Sequence, residues 1–126
     1  MNYMIFIEEI VRVEAESIKR AIRLLKARER TENLISPSLA ADRVQGGERT
    51  PQALRLLEID DCLKGCSERL VKIARAFLGL DNLKAQAYIW GLLDGLPWES
   101  IRKRGRIKEE DRRKFQEWLI ELFGVE

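Results

Sequence analysis

Apolar residues recur at Met4, Ile7, Val11, Ile18, Ala21 and Leu25, three or four positions apart apart from one defect at Glu14. That spacing predicts an amphipathic helix from Asn2 to about Arg30 with a coiled-coil-like stripe. Residues 31–51, TENLISPSLAADRVQGGERTP, break the period and hold Pro37, two glycines and several hydroxyl residues. They read as a connecting loop with a short helical turn at Leu39–Asp42, long for a link inside a compact domain. Thr50-Pro51 is a helix start, a hydroxyl N-cap followed by proline at the first helical position. The positions after it, Leu56, Ile59, Leu63, Cys66, Leu70, Ile73 and Phe77, keep the 3–4 spacing and predict one continuous helix over 51–78. Gly79 reads as its left-handed C-cap. Two stripes of similar length joined by a loop imply an antiparallel helical hairpin over residues 1–80. The same stripes suit pairing between two chains, as a homodimer.

Downstream, Asp81 is placed to cap a helix from Asn82 to Asp94 that is apolar on most of its circumference (Leu83, Ala85, Ala87, Tyr88, Ile89, Trp90, Leu92, Leu93), the mark of a helix buried on several sides. Gly95 ends it. Pro97-Trp98-Glu99 opens a short helix carrying Ile101, and a basic turn, Arg102–Ile107, follows. The last helix is expected over Lys108–Phe123, with Phe115, Trp118, Leu119, Leu122 and Phe123 as its core face. All three tryptophans fall in this part of the chain, which places the best-packed core there. The fold class is therefore all-α, a hairpin over 1–80 followed by a compact unit over 81–126.

Composition removes whole classes of chemistry. The chain has 126 residues and no histidine, which excludes His-based triads, Cys-His nucleophiles and His-ligated zinc. Two cysteines cannot build a four-thiolate metal site. Gly46-Gly47 is followed by Glu48-Arg49 and is not a phosphate cradle, so the expectation is a binding protein with no enzymatic activity, cofactor or metal. Cys62 and Cys66 are read as two reduced thiols on one helix, with Cys66 in the stripe and Cys62 on its flank. The apolar opening Met1–Ile7 is cut off by Glu8 and Glu9, which fits neither a secretory signal nor a membrane span; the expected compartment is the cytoplasm.

The formal charge is only +2, so a polyanion-binding signal has to be local. In the first helix acids come early and bases late (Lys19, Arg20, Arg23, Lys26, Arg28, Arg30), an order the helix dipole itself favours. Between Ile101 and Lys114 there are eight cations, Arg102, Lys103, Arg104, Arg106, Lys108, Arg112, Arg113 and Lys114, against three carboxylates. A long helix, a short helix, a turn and an amphipathic helix make helix-turn-helix order, and those eight residues are the candidate nucleic-acid contacts. Glu109, Glu110 and Asp111 suit a helix N-terminus, and Glu109–Arg113 and Glu110–Lys114 are spaced as i,i+4 pairs.

The run Tyr88-Ile-Trp-Gly-Leu-Leu-Asp-Gly-Leu-Pro-Trp98-Glu-Ser-Ile101 resembles the stretch before the turn in sigma-factor region-four-like domains of small phage transcriptional regulators, the RinA/ArpU-like group. Ser36-Pro-Ser and Ala41-Asp-Arg-Val-Gln-Gly-Gly47 are similar to that group's middle linker. The resemblance implies a phage or prophage DNA-binding regulator of transcription, with double-stranded DNA as partner and the hairpin dimerising or facing RNA polymerase. Three features depart from the group: Arg102 stands where a small residue is usual, Gly105 is shifted by one, and the second helix opens on carboxylates. The alternative is a phage interaction or structural module, including a DNA-packaging adaptor, whose basic turn meets an acidic partner surface.

Overall fold

The computed structural model describes residues 3–34 and 51–124. The proposed helical turn at Leu39–Asp42, the Thr50 cap and the linker similarities at 36–47 lie outside the described residues. Among the described residues the secondary structure is entirely helical: α1 (Tyr3–Val13), α2 (Ala15–Leu34), α3 (Pro51–Lys64), α4 (Glu68–Leu78), α5 (Leu83–Leu93), α6 (Trp98–Gly105) and α7 (Glu109–Phe123). None of these helices is long and apolar enough to cross a membrane.

The first expected helix is two segments that meet at Glu14, and α2 runs on to Leu34, beyond the expected end near Arg30. Backbone bonds bridge the junction, Glu14 N–H to the Ile10 carbonyl at 3.0 Å and Ile18 N–H to the Glu14 carbonyl at 2.9 Å. The defect in the stripe disappears here. Ile7, Val11, Ala15, Ile18, Ala21 and Ile22 are buried, so the core-facing line passes through Ala15 while Glu14 turns aside to Arg69, 3.0 Å away.

The helix expected over 51–78 is broken at Gly65–Ser67. Ser67 caps α4 by accepting from the Leu70 N–H at 3.1 Å, and a serine cap two residues after a glycine favours a new start over a continued helix. Gly79 has φ −83°, so it ends α4 without the left-handed conformation expected of it. Asn82, one residue later than expected, caps α5 by accepting from the Ala85 N–H. Gly95, at φ +75°, makes the left-handed turn between α5 and α6.

α2 packs along both α3 and α4, and α5 contacts α1, α2, α6 and α7. Of the two ion pairs Arg28–Asp60 (2.6 Å) and Glu14–Arg69 (3.0 Å), the one from α2 reaches α3 and the one from the α1–α2 junction reaches α4, so the later upstream residue meets the earlier downstream one. One hydrophobic core runs from Ile7 and Val11 through Ile73, Phe77 and Tyr88 to Leu119 and Phe123. The expectation of a core concentrated beside the tryptophans is too narrow. Isoleucines of α1 and α2 are as buried as anything near Trp118, because α1 lies against α7 and α5.

Candidate nucleic-acid interface

α6 is attached to α5 by close backbone approach. A Cβ on Gly91 would lie 2.5 Å from Cγ1 of Ile101, and one on Gly105 would lie 3.0 Å from Cβ of Ala87. Glycine at 105 therefore answers to packing. The left-handed turn falls on the next residue, Arg106, at φ 50° and ψ 47°. The one-residue shift of the glycine thus has a physical cause: the crossing requires glycine at 105, and a non-glycine residue carries the strained turn at 106. Ile107, buried, plugs the turn against Gly105.

The eight candidate cations separate into distinct environments. Lys103, Arg104, Arg106 and Lys108 are exposed and make no ion pair among the described residues. They occupy the end of α6, the turn and the α7 N-cap. Arg102 is exposed but donates to Glu99 at 2.8 Å, an i,i+3 pair that holds the Glu99 carboxyl below its ordinary pKa. Arg113 and Lys114 are exposed on α7. Neither forms the expected pair with Glu109 or Glu110.

The N-terminal carboxylates of α7 have other partners. Asp111 accepts from the Lys108 backbone N–H at 3.2 Å, which lowers its pKa, and lies 3.4 Å from Lys84. Glu109 accepts from the Trp98 indole at 3.3 Å. The solvent face of α7 carries Glu110, Arg113, Lys114, Glu117 and Glu121, all exposed, two cations against three carboxylates. That face has no excess of positive charge. The cationic excess is concentrated in the turn.

Arg112 leaves the candidate set. It donates to Glu8 through Nε at 2.9 Å and through Nη2 at 2.6 Å, and its guanidinium lies 4.3 Å from the centre of the Trp98 ring. Tyr88 donates its hydroxyl to the same Glu8 carboxylate. Four helices meet at this cluster: α1 supplies Glu8, α5 Tyr88, α6 Trp98 and α7 Arg112. Burial alone would raise the Glu8 pKa, but bonds from Arg112 and Tyr88 and the charges of Arg112 and Arg12 more than offset it, so the carboxyl stays ionised below the usual range. Burial, followed by the bond to Glu8, drives the Tyr88 hydroxyl upward. A carboxylate held ionised by a bidentate arginine, and accepting from a buried neutral phenol, forms a structural clamp between the helices.

The sequence marks Glu8 only as a break in the apolar opening and Tyr88 and Trp98 only as core and motif positions, with nothing to join them. Glu8 stands beside the α1 stripe, where an acid looks like any solvated neighbour, and only the tertiary approach of α7 reveals its partner. Among the described residues no group of His, Cys, Asp or Glu is arranged to hold a metal ion. No protein family, curated protein or solved structure matches the chain.

Proposed function

We propose that the protein binds double-stranded DNA through the backbone phosphates, as a phage or prophage regulator of transcription with a degenerate sigma-like helix-turn-helix formed by α6, the turn and α7. One observation carries this reading: Lys103, Arg104, Arg106 and Lys108, four exposed cations free of ion pairs among the described residues, cluster within six positions at a turn between two helices. Phosphate contacts from such a turn position a protein on a duplex without reading its sequence. The face of α7, with more carboxylates than cations, fits this division, since base reading favours arginine on guanine and asparagine or glutamine on adenine. The hairpin of the N-terminal half would present a surface to RNA polymerase or a second copy.

A second reading has its own observation. Phe6, Ile10 and Val13 form an apolar strip along α1, with Phe6 50% and Val13 83% exposed, which favours a helical interaction module whose basic turn is secondary. Fluorescence anisotropy with duplexes of different base composition separates the two. The DNA reading predicts binding of similar strength to all of them, weakened alike by Lys103→Gln, Arg104→Gln and Arg106→Gln together. Absence of binding at low salt would give the lead to the interaction module.

A further inference from the structure

The cationic edge of α6 has a counterpart on α2. On a helical wheel Lys19, Arg23, Lys26 and Arg30 fall at i, i+4, i+7 and i+11, a single stripe beside the buried Ile18–Ile22 face. Arg23, Lys26 and Arg30 are exposed and free of ion pairs among the described residues; Lys19 lies 3.1 Å from Glu16. From residue 19 to residue 30 the stripe spans about 16 Å, the axial length of about five phosphates on one strand.

This stripe borders α5 at Trp90, with the Lys26 ammonium 5.4 Å from the ring centre. The far side of Trp90 is fixed by how α6 sits on α5. Gly91 meets Ile101 and Ala87 meets Gly105, so residues 101 and 105 define the line of α6 that faces α5. On one side of that line Trp98 packs edge-on against Tyr88, with centroids 6.4 Å apart. Tyr88 and Trp90 lie on opposite sides of the Ala87–Gly91 line of α5, and Trp98 and Arg104 lie on opposite sides of the Ile101–Gly105 line of α6. Arg104 therefore lies on the Trp90 side.

We infer that Lys19, Arg23, Lys26 and Arg30 of α2 and Arg104 of α6 are the two cationic walls of a shallow trough floored by Trp90, a second seat for the phosphate backbone of a DNA duplex. The inference rests on the reading of the turn as a phosphate-binding edge and extends that edge, through Arg104, to the opposite side of α6 from α7. Lys26 covers one face of the Trp90 ring, and the indole is half-buried. Such a floor gives little room for the base stacking by which single strands are held, and suits a duplex presenting phosphates. Asp94, the exposed C-cap of α5 one turn beyond Trp90, lies on this side and opposes a polyanion there.

The test compares salt dependence of binding to a 30-base-pair duplex and to a single strand of the same length, by anisotropy. Four proteins are used: wild type, an α2 variant (Arg23→Gln, Lys26→Gln, Arg30→Gln), a turn variant (Lys103→Gln, Arg106→Gln, Lys108→Gln) and Asp94→Asn. Far-ultraviolet circular dichroism checks that each is folded. If the trough holds a backbone, the α2 variant flattens the log–log salt slope by about 2.7, at about 0.9 per lost contact. Its duplex affinity falls more than tenfold at low salt, while Asp94→Asn raises affinity about threefold. An unchanged slope in the α2 variant, with a flattened one in the turn variant, overturns the trough and leaves the turn reading intact. The reverse pattern sinks the turn reading and, with it, the trough as an extension of that edge, leaving the α2 stripe as a separate phosphate seat. Equal or tighter binding of the single strand overturns the assignment to a duplex, and absence of binding by the wild type overturns both.

Discussion

Replacing Arg112 by methionine separates a structural role from a DNA-binding one more cleanly than any other single change. Methionine keeps an apolar stem against Trp98 but removes both bonds to Glu8, whose side chain is only 6% exposed. Removing one partner of a buried ion pair typically costs about 3–5 kcal/mol, because the other charge is left without compensation. Here the Arg112 side chain is 24% exposed, and Tyr88 still donates to Glu8, so we expect a loss of about 2–4 kcal/mol at neutral pH. The assay is guanidinium denaturation followed by tryptophan fluorescence. The double variant Glu8→Gln, Arg112→Met should lose less than the sum of the single losses, with a coupling of about 1–3 kcal/mol, since glutamine can still accept from Tyr88. The salt slope of DNA binding should not move. A stability change under about 0.5 kcal/mol together with a slope flattened by about 0.9 would show that Arg112 faces phosphate and that the clamp has been misread.

Other outcomes follow from the same geometry. Arg106→Gly should stabilise the fold by about 0.5–1 kcal/mol in denaturant melts, because glycine adopts the left-handed turn without strain, while weakening DNA binding by one phosphate contact. Gly91→Ala should cost about 1–2 kcal/mol despite the better helix propensity of alanine, because its Cβ would press on the branched stem of Ile101. The Glu8 carboxyl is held below its ordinary value of 4.5, so its contribution to stability is full above that pH and is lost as pH falls through the lower folded value. Urea midpoints of wild type and Glu8→Gln should therefore differ at pH 7 and converge in acid. A constant gap would remove the ionised clamp.

The helical class and the core positions Ile7, Val11, Ile18, Ile73 and Phe77 were legible because the apolar period is a direct image of burial. The helix breaks were not. Leu63, Cys66 and Leu70 keep the 3–4 spacing across Gly65–Ser67, so the stripe continues while the backbone stops and restarts at the Ser67 cap. At Glu14 the apparent flaw in the stripe was a change of track to Ala15, which only the burial of Ala15 reveals. For the candidate interface, the charge cluster at 102–114 was evident from composition, but its partition was not. Whether an arginine is free or clamped depends on residues far away in sequence, as Arg112 and Glu8 are, and no local pattern encodes that pairing. The shifted glycine was visible too, yet its reason, contact with Ala87, belongs to the α5–α6 crossing.

The central claim is that cations of the α6–α7 turn hold the phosphate backbone of a duplex. The most direct measurement is the log–log dependence of the DNA binding constant on salt, for the wild type and for the protein with Lys103, Arg104, Arg106 and Lys108 all replaced by glutamine. With four phosphates contacted by the turn, the wild-type slope should be at least as steep as about −3.6 and the variant's flatter by about 3.6, to the same extent on every duplex sequence. Equal slopes for the two proteins, or no binding by the wild type at low salt, would contradict the account.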